Sequence, residues 1–129
     1  MNKNNCNSCS GIVVALKANF LIVEINYEDS KEDDKDQSSK KIRLLCTRRS
    51  KLDYQGCFID VGDIVLVESI DYKNKRAVIF DVEPRKSFLK RPPVSNVTLI
   101  AICISVEEPL FDLEQVSRFL ITAELANIK

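Results

Sequence analysis

Residues 83–97, Glu-Pro-Arg-Lys-Ser-Phe-Leu-Lys-Arg-Pro-Pro-Val-Ser-Asn-Val, constrain what this chain can fold into more than any other stretch. Pro92 and Pro93 have no backbone N–H to give to a sheet or a helix, and each restricts the residue before it. A run of this kind is expected to be a stiff, extended connector rather than a floppy linker. It carries Arg85, Lys86, Lys90 and Arg91, with no acid after Glu83. Before it the chain reads as short alternating strands with turns. After it come one continuous apolar run and one amphipathic helix.

The upstream part holds about five strand-like runs, at 11–16, 20–25, 41–47, 64–70 and 76–82. Each is β-branched or alternates apolar with polar residues, and each ends at turn-forming residues. The first two form either a hairpin or one bent strand that serves both halves of a barrel. Val61-Gly62-Asp63 is a tight turn into the fourth strand, and residues 71–75 are a hairpin loop into the fifth. No stretch among them is long enough for a substantial helix. A closed barrel is the economical way to remove sheet edges from so short a run of strands, and the five-stranded OB-type barrel fits best.

Charge is distributed unevenly. Lys plus Arg equals Asp plus Glu at 19 each, so the whole chain has no electrostatic preference for a polyanion. Residues 26–40 are rich in acids and lack both apolar periodicity and the glycine of a calcium loop, and they read as a long mobile surface loop. Residues 41–51 reverse the sign, with five basic residues and no acid. Ile42, Leu44 and Cys46 alternate with Arg43, Leu45 and Thr47, which puts Arg43 on the solvent face, and Arg48, Arg49 and Lys51 follow. The candidate phosphate contacts are therefore Arg43, Arg48, Arg49 and Lys51, with Arg85, Lys86, Lys90 and Arg91 from the connector. The competing reading of the first group is an ordinary solvated edge strand. Aromatic stacking candidates are few (Tyr54, Phe58, Tyr72 and Phe80, the last better placed in the core), which favours shape and backbone recognition of structured RNA over a single-strand platform.

Several chemistries lack their residues. The chain has no histidine, which removes His-based acid–base catalysis and His metal ligands. Cys6 and Cys9 form a Cys-x-x-Cys in a polar tail, residues 1–10, expected to be frayed. The other cysteines, Cys46, Cys57 and Cys103, are not paired at short spacing, so a zinc or redox site is the weaker reading. Five cysteines, an odd number at low density, suit reduced thiols in a cytosol. No apolar run approaches a membrane span, and the N-terminus has no apolar signal region. We expect no membrane partner, a cytoplasmic location and a monomer.

Residues 99–106 are almost continuously apolar, as in a central parallel strand. Asp112 is a helix N-cap with Gln115 at the capping-box position, and Leu113, Val116, Phe119, Leu120, Ala123 and Ala126 share one face. This is a single β–α unit, which cannot by itself provide a central strand with neighbours. The expectation is the amino-terminal piece of a longer protein: a tail at 1–10, a barrel at 11–90, a joint at 91–97 and the start of an α/β domain at 98–129.

The same pieces, in order, resemble the circularly permuted ribosome-associated GTPases of the RsgA/YjeQ family. They are Gly11-Ile12-Val13-Val14 with Asn19-Phe20, Val61-Gly62-Asp63, Glu83-Pro84-Arg85-Lys86 and Arg91-Pro92-Pro93-Val94-Ser95-Asn96-Val97. After these come Glu108-Pro109 with Phe111-Asp112-Leu113, and Arg118-Phe119-Leu120 with Ala123-Glu124. Thr98 stands where the family usually has an acid. The resemblance implies an N-terminal OB-fold that contacts RNA of the small ribosomal subunit, then a P-loop GTPase-like α/β domain with rotated motif order. It implies GTP with Mg, a closing zinc domain in the full-length protein, and a role in late small-subunit maturation, with ribosomal proteins as further contacts. This chain contains neither Gly-x-x-x-x-Gly-Lys-Ser/Thr nor Asn-Lys-x-Asp, so no cofactor, metal or catalytic residue is assigned to it and it is expected to be inactive alone. The alternative is a stand-alone OB-fold adaptor that binds RNA or protein without a GTPase.

Overall fold

The computed structural model describes residues 8–27, 40–105, 107–108 and 112–128. Cys6, most of the acidic stretch and residues 109–111 lie outside the described residues. The chain divides into two compact units between Pro84 and Arg85.

The first unit is a closed barrel with strand order β1-β2-β3-β5-β4. The strands are β1 (Cys9–Lys17), β2 (Phe20–Tyr27), β3 (Lys40–Arg48), β4 (Ile64–Asp71) and β5 (Arg76–Val82). All pairings are antiparallel except β3 with β5, which runs parallel from Leu45↔Arg76 to Arg48↔Ile79. Of the two arrangements expected for the first two runs, the hairpin forms: β1 pairs with β2, and its early residues, Cys9–Ile12, also pair with β4. The register slips between Val13 and Ala15, leaving Val14 as a bulge that bends the strand from one neighbour to the other.

Period-two alternation builds the core. Val13, Val23, Leu44, Val65, Val67 and Ile79 are wholly buried. Each such side chain contributes about 1.5–3 kcal/mol of burial energy against the entropy of ordering. Gly11 is required by close approach rather than by backbone angle. A Cβ there would meet Val23 Cγ1 at 2.5 Å and Ile25 Cγ2 at 2.8 Å.

A short helix, α1 (Ser50–Tyr54), lies between β3 and β4, where the sequence predicts only a connection. It goes unseen because one buried residue, Leu52, gives no helical period. Leu52 and, further along, Ile59 join the barrel core. Gly62, at φ 89°, turns the chain into β4. The Asp63 side chain is fully buried. Its Oδ2 accepts a hydrogen bond from the Asp60 N–H at 2.8 Å, so the carboxylate folds the loop that carries it.

The second unit begins as a hairpin, β6 (Phe88–Lys90) with β7 (Pro93–Ser95). The proline pair was expected to hold this stretch extended and unpaired. Pro93 is instead the first residue of its strand, where a missing N–H costs least. The motif around it closes on itself: Asn96 Oδ1 accepts from the Lys86 N–H at 2.8 Å, the Asn96 N–H donates to the Ser87 carbonyl, and Ser87 Oγ donates to the Val97 carbonyl. Residues 99–105 form no ladder with any described strand, because a strand apolar on both faces needs neighbours and none lies beside it. Helix α2 (Leu113–Leu125) forms as expected, with Asp112 Oδ1 accepting from Glu114 N–H and Gln115 N–H. It ends with Asn127 at φ 54° and a return bond from Ile128 N–H to the Ala123 carbonyl. Its apolar face stays largely open to solvent, at Leu113 and Leu120 above all. No helix among the described residues is long and apolar enough to cross a membrane.

Candidate nucleic-acid interface

β3 and α1 position the first group of predicted cations. Arg43 projects outward from β3 as its alternation requires, directly across the ladder from Glu24. Glu24 holds two cations, with Lys41 Nζ 3.0 Å from Oε1 and Arg43 Nε 3.3 Å from Oε2. The hydrogen bond from the Lys41 ammonium, and then that from Arg43, pull the Glu24 carboxyl below the usual carboxylate range. Arg48 ends β3 and Arg49 starts the turn into α1, where the Arg49 N–H donates to the Ile79 carbonyl at 2.9 Å and fixes the corner to β5. Arg48 Nε lies 2.9 Å from Asp53 Oδ1. Arg49 is bridged to Glu68 on β4. Lys51 is exposed on α1 and makes no ion pair among the described residues.

The structure thus brings Arg48, Arg49 and Lys51 together at one corner and leaves Arg43 further back on the strand face. It also supplies what the linear pattern lacked, an acid for each of the three arginines. Pairs this exposed are worth about 0–1 kcal/mol and are screened by salt. They hold the guanidinium groups in defined orientations at little cost to exchange, and a phosphate offers each a stronger, charge-assisted partner.

The second unit carries the other group. The Arg85 guanidinium lies over the Phe88 ring, 4.6 Å from its centroid, and Lys86 has its N–H held by Asn96. Lys90 ends β6, and Arg91 leads into the hairpin turn through a cis bond to Pro92. Lys90 and Arg91 are exposed, so both are displayed at the tip.

Sequence reasoning missed a shallow concavity of about 240 Å³ on the outer wall, lined by Phe20, Leu45, Thr47, Ser69, Arg76 and Val78. Arg76 carries no signal because it reads simply as the start of a strand. Tyr54 and Phe58, two of the stacking candidates read from the sequence, are both exposed.

Two of the thiols, Cys9 and Cys46, sit in the barrel wall and core. Cys9 is half-buried in β1 opposite Val67, and burial raises its pKa. Burial also pushes the Cys46 thiol up to about 11. Neutral thiols of this kind are poor nucleophiles and poor metal ligands. Among the described residues no group of three His, Cys, Asp or Glu could hold a metal ion. The sequence contains neither Gly-x-x-x-x-Gly-Lys-Ser/Thr nor Asn-Lys-x-Asp.

Comparison with known proteins agrees with this architecture. A family profile described as RsgA GTPase matches residues 82–129. The small ribosomal subunit biogenesis GTPase RsgA of Prochlorococcus marinus (strain NATL2A) is 73% identical over 129 residues, covering all of this chain and 41% of the relative. The protein of the same name from Synechococcus sp. (strain CC9311) is 50% identical over 121 residues, covering 92% of this chain and 36% of the relative. The crystal structure of YjeQ from Thermotoga maritima superposes with a TM-score of 0.72 at 30% identity, over 95% of this chain and 39% of that one. YloQ, described as a circularly permuted GTPase, has a TM-score of 0.71 over all of this chain and 41% of that one; at 22% identity it speaks for the fold alone. The chain spans about two-fifths of the length of these curated relatives. By sequence along its whole length and by fold, the chain belongs to the RsgA/YjeQ family and corresponds to the N-terminal part of its members.

Proposed function

We propose that this chain is the RNA-docking part of a ribosome-biogenesis GTPase that acts in late maturation of the small ribosomal subunit. The observation that carries the reading is the β3–α1 corner, where a closed barrel presents Arg48, Arg49 and Lys51, Arg48 paired with the exposed Asp53 and Arg49 with the half-buried Glu68. Rigid display of guanidinium groups suits the phosphates of structured RNA, which is recognised by shape and backbone. Arg43 extends the same face, and Arg85, Lys86, Lys90 and Arg91 offer a second set on the other unit. The partner is small-subunit rRNA, with ribosomal proteins as neighbouring contacts, in a cytoplasmic setting and with the protein as a monomer. GTP and Mg belong to the parent protein, and so does the zinc domain, outside this chain. Nothing here performs hydrolysis; the role of these residues is to bind and orient.

The test is binding of this full chain to purified small ribosomal subunits across a salt series. The R48E/R49E double variant should bind more weakly. Its log–log salt slope should fall by roughly 1.4–1.8, since each phosphate contact contributes about 0.7–0.9. Unchanged affinity and slope would sink the assignment.

A further inference from the structure

The end of α1 and the connection from it to β4 carry two large, exposed aromatic side chains. Tyr54 is 90% exposed and Phe58 82% exposed. The backbone that carries them is pinned from both sides. Leu52 and Ile59 are buried in the barrel core, and Cys57 packs against it. Three hydrogen bonds close the turn: Gln55 N–H to the Lys51 carbonyl, Gly56 N–H to the Asp53 carbonyl and Cys57 N–H to the Leu52 carbonyl, each 3.1 Å. Gly56, at φ 64°, reverses the chain with nothing within 4 Å of where a Cβ would stand. The Asp63 carboxylate holds the far end through the Asp60 N–H. The rings are therefore presented by an ordered framework, and a largely exposed ring on an ordered backbone is the usual form of an interface anchor.

The surroundings select the partner. Lys51 and Tyr54 are three apart on α1 and share a face. Asp53, beside Tyr54, is the residue that holds Arg48. A cation within one helical turn of Tyr54, with Phe58 four residues further along the same ordered segment, suits a nucleic acid, whose bases stack on aromatic faces while its backbone meets the charges. A protein partner would favour a surface from which lysine is depleted. A base inside an A-form duplex offers no free face, so the base must be unpaired, in a bulge, a loop or an end.

We propose that Tyr54 and Phe58 stack on an unpaired base of small-subunit rRNA, beside backbone phosphates held by Arg48, Arg49 and Lys51. This rests on the docking reading above and adds a base contact to it. It also reconciles the low aromatic content with RNA binding, because the two most exposed rings, Tyr54 and Phe58, follow the cationic corner closely along the chain.

The test uses the full chain with purified small ribosomal subunits. Short-wave ultraviolet irradiation of the complex, followed by mass spectrometry, should place a nucleotide adduct on Tyr54 or Phe58. The Y54A/F58A double variant should lose roughly five- to hundredfold in affinity with the salt slope unchanged, since stacking carries no counterion release. Tyr54→Phe with Phe58→Tyr should restore binding. Because both rings are exposed, the alanine variant is expected to keep the wild-type melting transition. Wild-type affinity in Y54A/F58A, with R48E/R49E impaired, would overturn stacking and leave the docking reading standing. A loss of affinity with no nucleotide adduct at either residue would also overturn it, pointing to a socket on a ribosomal protein. If R48E/R49E and Y54A/F58A both bind like wild type, the two readings fall together.

Discussion

Arg48 Nε and Asp53 Oδ1 stand 2.9 Å apart, joining the last residue of β3 to the helix that follows it. The bridge sets the direction of a guanidinium that is otherwise free to sweep, and it places a carboxylate where a phosphate would have to arrive. Asp53 is thus both a support and a competitor.

Competition should dominate, because the pair is exposed. Asp53→Asn is expected to raise affinity for small ribosomal subunits roughly two- to fivefold, matching the ~1 kcal/mol ceiling of such pairs. Thermal stability should barely move. The check is a binding isotherm at fixed salt beside a melting curve. A fall in affinity would mean that Asp53 acts mainly by aiming Arg48.

Gly11 makes a different kind of demand. Its missing Cβ is what lets β1 approach the Val23 and Ile25 side chains, which belong to the sealed interior. Gly11→Ala is expected to destabilise the barrel by about 1–3 kcal/mol through overpacking, read as a lower urea midpoint with an unchanged m-value. An unchanged midpoint would show that β2 yields without cost.

These two positions mark what a linear sequence can and cannot disclose here. The barrel strands were legible because alternation is local: Ile42, Leu44 and Cys46 announce an inner face without reference to any other strand. Asp112 announced its helix in the same way. The counter-ions were not legible, because Glu24 and Glu68 reach Arg43 and Arg49 only through the closure of the sheet. Helix α1 escaped notice because Leu52 is its one buried residue. The hairpin at 88–95 did too, because two prolines argue against pairing unless one of them begins a strand. Residues 99–105 taught the reverse lesson: apolar character marks a strand's preference for neighbours and does not provide them.

Glu24 gives the barrel an acid-sensitive element. Its carboxyl is more acidic in the folded protein than in the unfolded chain, with the Lys41 and then the Arg43 hydrogen bond as the leading causes. The ionised form therefore favours folding. That contribution is complete above the ordinary carboxylate range and is lost as pH falls through the lowered folded-state value. Glu24→Gln should remove this component. The urea midpoint of the variant is expected to drop less than that of wild type between about pH 6 and about pH 3, a window spanning the usual glutamate value. Equal drops would mean that the two cations leave the stability of the fold indifferent to the charge on Glu24.

Nucleotide chemistry should be separable from docking. Calorimetric titration of this chain with GTP is expected to give no binding heat, since the sequence carries neither nucleotide motif. A chimera that continues this chain with the remainder of the Prochlorococcus marinus (strain NATL2A) relative, 73% identical over this stretch, is expected to bind GTP and to hydrolyse it faster when small subunits are added. Introducing R48E/R49E into that chimera should leave unstimulated hydrolysis intact and reduce the stimulation. Equal stimulation with and without the two arginines would separate the corner from the activity.

The parallel β3–β5 seam has a consequence for the order in which the protein comes into being. Every strand of the barrel precedes Pro84, yet the wall stays open until β5 lies beside both β3 and β4. A chain emerging from the ribosome therefore cannot seal this unit before Val82 clears the exit tunnel, and needs nothing later to do so. Domains generally fold as units during synthesis, the N-terminal one first. The barrel unit would stand finished while the second unit was still being translated.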